Sequence, residues 1–289
     1  MQPTERVVGK RRRNKWNDVQ TGEQSPLDFA VTTRDAGVMS MVAEAVKHKQ
    51  VALAYQPVVQ ATRPSQPAFY EGLIRIFDET GRIIPAKDFI EHIEETELGR
   101  VIDCLALEFG LKALQKAPEM RLSINMSARS IGFPRWMNTL RHGLDRDPTV
   151  AERLILEITE SSAMTVPELV VRFMSDLQRK GISFALDDFG AGYTSFRYLR
   201  DFYFDILKID GQFIRNIHTD PDNQVLTKAL VGIAQQFDMF TVAESVETFE
   251  DCQWLQQIGV DCLQGYYFGA PSIQEPWKQN SKTTQRRRA

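Results

Sequence analysis

The chain has 289 residues, 43% of them apolar, enough for one large core or two small ones. Thirty-five basic against 38 acidic side chains leave a net charge of −3, which excludes a wholly disordered chain and a whole-surface nucleic-acid footprint. No apolar run approaches the roughly 18 residues that a membrane helix needs, and no apolar segment of a secretory signal follows the basic N-terminus, so the expectation is a cytoplasmic protein.

In chain order, residues 1–37 carry no sustained periodicity and hold Lys10-Arg11-Arg12-Arg13 with Lys15; they read as a basic, flexible N-terminal segment. One domain is expected over residues 38–275. Its first β-rich runs, Val51–Val59 and Ala68–Ile76, are separated only by the polar stretch Gln60 to Pro67. A parallel crossover needs a dozen or more residues, so this pair reads as an antiparallel hairpin. Within Leu98–Ala117, the residues Leu98, Val101, Ile102, Leu105 and Phe109 recur at helical spacing. Strand-like runs follow at Arg121–Met126 and Leu154–Thr159. Pro167 then opens a helix with Leu169, Val170, Phe173 and Leu177 on one face, and Gly181 stops it. Further runs are Ser183–Phe189, Ile206–Ile209, Phe240–Ala243 and Cys262–Tyr266, with a helical face at Val225, Leu226, Ala229, Leu230, Ile233 and Phe237. Residues 276–289 form a polar tail ending in Arg286-Arg287-Arg288.

Strands alternating with helices predict parallel pairing with helices outside. Eight strands with one reversed predict an α/β fold, a closed (β/α)8 barrel. An open doubly wound sheet is the alternative, but no G-x-G-x-x-G follows any strand. Cys104, Cys252 and Cys262 show no C-x-x-C spacing and read as reduced thiols. His48, His92, His142 and His218 are scattered singly, so a metal here would need oxygen ligands.

The chemistry is written at the strand ends: Glu71, Asn125, Glu157, the pair Asp187-Asp188, Lys208, Glu244 and Gln264. Any one of these alone reads as an ordinary polar strand cap. Polar groups at the same end of seven strands point to a site at the C-terminal face of a barrel. Five carboxylates at one mouth repel one another without cations, and oxygen ligands select Mg²⁺ or Mn²⁺, with Ca²⁺ as a non-productive occupant. An adjacent Asp-Asp pair suits two ions, a known device for in-line displacement at phosphorus. Successive strand residues face opposite ways, so both acids reach one site only if the strand breaks; Phe189-Gly190-Ala191-Gly192 is the expected break. Lys208 would steady a nucleophilic water or neutralise phosphate charge. These residues alone reach a metal-assisted hydrolase, with a phosphate ester as a fitting substrate.

At these same positions the sequence resembles the EAL domain, a family of bacterial cyclic di-GMP phosphodiesterases. The resemblance runs from about Tyr55 to Pro271. It comprises Tyr55-Gln56-Pro57, Glu71-Gly72-Leu73 with Arg75, Asn125-Met126-Ser127, Glu157-Ile158-Thr159-Glu160, Asp187-Asp188-Phe189-Gly190-Ala191-Gly192-Tyr193, Lys208-Ile209-Asp210, Ala243-Glu244-Ser245-Val246-Glu247-Thr248 and Gln264-Gly265-Tyr266.

The resemblance implies a modified TIM barrel with an antiparallel first strand, and hydrolysis of cyclic di-GMP to linear pGpG by metal-activated water. One metal would take Glu71, Asn125, Glu157 and Asp187. Asp187 would bridge to a second, also held by Asp188 and Glu244. Lys208 would contact the attacking water, and Glu244 is the residue sometimes assigned as general base. Gln56, the backbone near Leu73, Arg75 and Gln264 would hold the dinucleotide. Glu160 would anchor the loop after Asp187, which in many members couples the site to a homodimer interface. The aromatic side chains Phe189, Tyr193, Phe196, Tyr198, Phe202 and Tyr203 are candidates for that interface.

Three departures stand out: Gly72 where alanine is usual, Ser245 where glycine is common, and Ile76-Phe77-Asp78-Glu79 in place of a tryptophan and His-Pro. The alternative reading is a catalytically silent cyclic di-GMP receptor. With no cyclase motif or sensor in this sequence, regulation is expected from the N-terminal segment, oligomerisation or a separate partner, and the family implies motility and biofilm outputs.

Overall fold

Residues 26–94, 96–191 and 199–278 are described by the computed structural model, with side chains from residue 37 onward except those of residues 87 and 91. Helix α1 (Pro26–Lys47) leads into β1 (Val51–Gln60) and β2 (Arg63–Phe77), and β2 also pairs with the short β3 (Ile83–Ile84). Then follow α2 (Glu97–Lys116), β4 (Leu122–Asn125), α3 (Pro134–Arg146), β5 (Leu154–Thr159), α4 (Glu160–Thr165) and α5 (Pro167–Gln178). The last third holds β6 (Ser183–Phe189), β7 (Ile206–Ile209), α6 (Pro221–Gln236), β8 (Phe240–Ala243), α7 (Phe249–Gln257) and β9 (Cys262–Gln264).

Eight strands close a ring in the order β1-β9-β8-β7-β6-β5-β4-β2, sealed by the β1–β2 pairing. Strand β1 runs antiparallel to both neighbours, and every other pair in the ring is parallel. The fold is therefore the barrel with a reversed first strand. The hairpin is tighter than the sequence suggests: β2 begins at Arg63, so Pro64 and Pro67 lie inside it. Register shifts at Val58/Val59 and Val59/Gln60 fall opposite the prolines, which cannot donate to a regular ladder.

Side-chain alternation makes two cores from one set of strands. Outward residues, among them Leu122, Ile124, Leu156, Phe184, Leu186, Leu207, Ile209 and Leu263, pack under the helices in the main cluster. Inward residues Val58, Phe69, Ile155, Ala185, Ile206 and Val242 fill the barrel's lower interior. Position i+2 shares a face with i, so Phe69, Ile155, Ala185, Ile206 and Val242 aim Glu71, Glu157, Asp187, Lys208 and Glu244 into the layer above. A third cluster buries Val42, Ala45 and Val46 of α1 against Val51, Ile76, Phe89, Ile93 and Ile102. Helix α1 begins at Pro26, ahead of the boundary expected near residue 38. The basic clusters at Lys10–Lys15 and Arg286–Arg288 lie outside the described residues.

All three cysteines are free thiols. No described helix is long and apolar enough to cross a membrane.

Candidate active site

The polar layer centres on Lys208. It stands on β7, is only 1% exposed, and its Nζ lies 2.7 Å from Glu157 Oε2, 2.8 Å from Asp187 Oδ1, 2.7 Å from Glu244 Oε1 and 3.7 Å from Glu71 Oε2. Burial alone would drive an ammonium toward its neutral form; the surrounding carboxylates win, and Lys208 titrates well above its ordinary value. Glu157 and Glu244 are pushed toward their neutral forms. Burial raises Glu157 and Glu244, and the neighbouring acids add to that against the pull of Lys208. Asp188 is pushed up to about 6, first by burial and then by Asp187. One ammonium does not balance this many acids.

Asp187 and Asp188 share the site through a bulge in β6. Leu186 pairs with Leu207 and Phe189 with Ile209, so two acids stand opposite the single residue Lys208. Asp188 itself takes the left-handed conformation, at φ 54°. The expected break at Phe189-Gly190-Ala191-Gly192 therefore comes earlier, at Asp188. Aspartate tolerates this backbone better than most residues, which is why a glycine is not required there. Carboxylate oxygens of Asp187, Asp188 and Glu244 come within 4.8 Å of one another, close enough to hold one cation.

On the opposite side, Asn125 Nδ2 donates to Glu71 Oε1 at 2.8 Å, and Gln264 Nε2 donates to Glu71 Oε2 at 2.6 Å and to Gln56 Oε1 at 3.1 Å. Gln56 in turn donates to Gly269 O at 3.1 Å. These contacts follow from register: Gln56 pairs with Glu71 and Val58 with Gln264. Buried Glu157 Oε1 has no hydrogen-bond partner, an orphaned acceptor suited to a cation. Glu160 accepts from Gly190 N at 3.2 Å, joining the first turn of α4 to the segment after Asp188. Residues 192–198, including Tyr193, Phe196 and Tyr198, lie outside the described residues; Phe189 and Phe202 are buried, and Tyr203 is exposed.

Two of the three departures can be read locally. A methyl at Gly72 would come within 2.7 Å of Ile124 Cδ1 and 3.0 Å of Leu53 Cδ2, so the neighbours fill the space an alanine would take. Ser245 sits at φ 55°, a backbone that favours glycine, and its hydroxyl accepts from Arg215 Nη2 at 3.2 Å.

A cavity of about 320 Å³ opens above the layer, lined by Gln56, Glu71, Leu73, Asp187, Asp188, Lys208, Glu244 and Gln264. Arg215, Ser245, Glu247 and Tyr266 are among the other residues on its rim. The sequence reading gave none of these four a role. Arg215 carries no signal beyond its charge, being set seven residues past Lys208, just after the short helix Gly211–Ile214. Arg75 stands two residues past Leu73 on β2, its Nη1 donating to Ile74 O at 3.1 Å. A larger cavity, about 1010 Å³, opens at the other end of the barrel around Phe69, Ile155, Ile206 and Phe240. None of the sequence-predicted site residues lines it, so the candidate site is the smaller one.

The EAL domain family model matches residues 39–271. Among curated proteins, the chain is 32% identical to cyclic di-GMP phosphodiesterase PdeF of Escherichia coli (strain K12), over 81% of this chain and 32% of that protein. It is 30% identical to cyclic di-GMP phosphodiesterase PdeB of Shewanella oneidensis, over 80% of this chain and 27% of that protein. The chain thus spans about a third of the length of these relatives. Among solved structures, it is similar to the PaMucR phosphodiesterase in complex with c-di-GMP, with TM-score 0.74 and 28% identity over 82% of this chain and 97% of that one. An EAL domain protein from Listeria monocytogenes EGD-e gives TM-score 0.73 and 28% identity over 85% and 98%. By this family match, and by a barrel that carries the family's motifs at one mouth, the chain belongs to the EAL domain family.

Proposed function

We propose that this chain hydrolyses one phosphodiester of cyclic di-GMP, releasing linear pGpG, with two divalent cations, Mg²⁺ or Mn²⁺, at the barrel mouth. Charge balance carries the reading. Glu71, Glu157, Asp187, Asp188 and Glu244 face one ammonium, so the ionised cluster holds a formal charge of −4, which two divalent cations neutralise. The donor set is all oxygen, as hard cations require, and Glu157 Oε1 is a buried acceptor with nothing to accept. Glu71, Asn125, Glu157 and Asp187 would hold one ion, and Asp187, Asp188 and Glu244 the other. Cations bound there supply Lewis-acid polarisation of the phosphoryl oxygen and of a water.

The chain's own groups do the rest. Lys208 keeps its proton and orients the attacking water or balances charge on phosphorus. Of Glu157, Asp187 and Glu244, the three carboxylates closest to Lys208, Glu244 is the most open to the cavity, which places it to take the proton from that water. Gln56, the backbone at Leu73, Arg75 and Gln264 hold the dinucleotide, Arg75 through the two parallel donors of its guanidinium. Glu160 fixes the start of the segment after Asp188. We further read the working unit as a homodimer in the bacterial cytoplasm, regulated through the N-terminal segment, oligomerisation or a separate partner.

The test is pGpG release by the purified chain across Mg²⁺, Mn²⁺, Ca²⁺ and chelator. Turnover with Mg²⁺ or Mn²⁺, and none with Ca²⁺ or chelator, is expected. Tight nucleotide binding without turnover in any metal would instead establish the silent receptor.

A further inference from the structure

Two arginines belong to the strands around the mouth, of which Arg215 lines the cavity, and neither is in a salt bridge among the described residues. Arg75 is on β2; Arg215 follows β7. In the ring order β1-β9-β8-β7-β6-β5-β4-β2 these strands are four places apart in either direction, so they stand across the ring from one another. Arg75 has a place in the reading above; Arg215 has none. Its side chain is exposed, lines the cavity, and makes one hydrogen bond, from Nη2 to Ser245 Oγ at 3.2 Å.

Ser245 keeps that bond at a conformational cost, since φ 55° favours glycine. The local packing is built around the serine. A Cβ on Gly211 would come within 2.3 Å of Ser245 Oγ and 3.3 Å of Arg215 Nη2, so Gly211 leaves room for both. A strained serine hydroxyl tying an otherwise unpaired cation to the cavity rim is an arrangement for an anion. A cyclic dinucleotide carries two phosphates on opposite sides of one ring. When one lies over the carboxylate cluster, the other needs a cation that the cluster does not hold.

We propose that Arg215, positioned by Ser245, binds a phosphate oxygen of the cyclic dinucleotide away from the carboxylate cluster, and so sets this chain's affinity for its substrate. This rests on the phosphodiesterase reading. Arg215 is exposed and Ser245→Gly suits the backbone, so neither substitution threatens folding.

The experiment measures Michaelis constants for cyclic di-GMP with Mn²⁺, and equilibrium binding with Ca²⁺, in the wild type, Arg215→Ala, Arg215→Lys and Ser245→Gly. Arg215→Ala is expected to raise KM and Kd about tenfold with kcat within about twofold, the loss of one charge-assisted hydrogen bond. Arg215→Lys recovers part of the loss, since a point charge replaces a fork, and Ser245→Gly raises KM about threefold by freeing the guanidinium. Raising salt weakens the wild type more than Arg215→Ala. Wild-type turnover with Arg215→Ala unchanged within about twofold in KM and Kd overturns this inference and leaves the phosphodiesterase reading intact. A wild type that neither binds nor cleaves the dinucleotide overturns both.

Discussion

Asp188 stands beside Asp187 on one side of the barrel wall because its backbone is left-handed, at φ 54°, with both acids facing the single residue Lys208 across the β6–β7 register shift. In a regular strand the second acid would point into the helix layer. The bulge spends local stability to bring a second carboxylate into the site.

That trade predicts opposite signs for stability and activity. Asp188→Gly removes the left-handed strain and one half-buried acid, and is expected to stabilise the metal-free chain by about 1 kcal/mol. The same change removes a proposed cation ligand, and pGpG release should fall at least about a hundredfold. Urea unfolding in chelator and a turnover assay read the two effects separately.

Lys208 acts as the resident counter-ion of the metal-free site. Lys208→Met leaves Glu157, Asp187 and Glu244 without it, at a cost of about 3–5 kcal/mol. Mn²⁺ should restore more melting temperature to this variant than to the wild type, while turnover stays lost. Equal Mn²⁺ effects on both chains would show that the lysine and the cations do not share the same carboxylates.

Most of this was legible in the sequence, for a definite reason. Seven strand ends carried polar residues against apolar runs, and a short first linker required a reversed strand; β5 to β8 start and stop where the pattern put them. The bulge position was not legible, because the glycines after Phe189 are the stronger local signal and the left-handed residue is an aspartate. The start of α1 was hidden because its buried residues Val42, Ala45 and Val46 come late in the helix. Arg215 was missed because a lone arginine has no periodicity to read; only the closed ring sets the strand before it across from β2.

Protonation couples to stability with a calculable sign. Burial pushes Asp103 up to about 6, against hydrogen bonds from Ser130 Oγ at 2.6 Å and Ser127 N at 2.9 Å, and Asp188 is also raised to about 6. Both bind protons more tightly folded than unfolded, so the metal-free chain is more stable below their unfolded values and loses stability as pH rises through 6. Asp103→Asn keeps a carbonyl for both donors and removes one such group. At pH 8 it should melt about 2–4 °C above the wild type, and the two should converge near pH 4. A constant difference from pH 4 to 8 would refute the assignment.

Restoring alanine at position 72 tests why glycine stands there. Gly72→Ala forces Ile124 aside and is expected to cost about 1–2 kcal/mol. Adding Ile124→Val, which deletes the clashing Cδ1, should recover most of that. Turnover should change little in either chain, because residue 72 faces the helix layer while Glu71 keeps its place.

The central claim is that two cations held by these carboxylates carry the hydrolysis. The direct measurement titrates Mn²⁺ into the metal-free wild type and Asp188→Asn while following both bound metal and pGpG formation. Two Mn²⁺ per chain in the wild type, with pGpG appearing only as the second site fills, and a weakened second site with lost turnover in Asp188→Asn, is the predicted result. Wild-type turnover that persists in chelator, or that Asp188→Asn leaves unchanged, would contradict it.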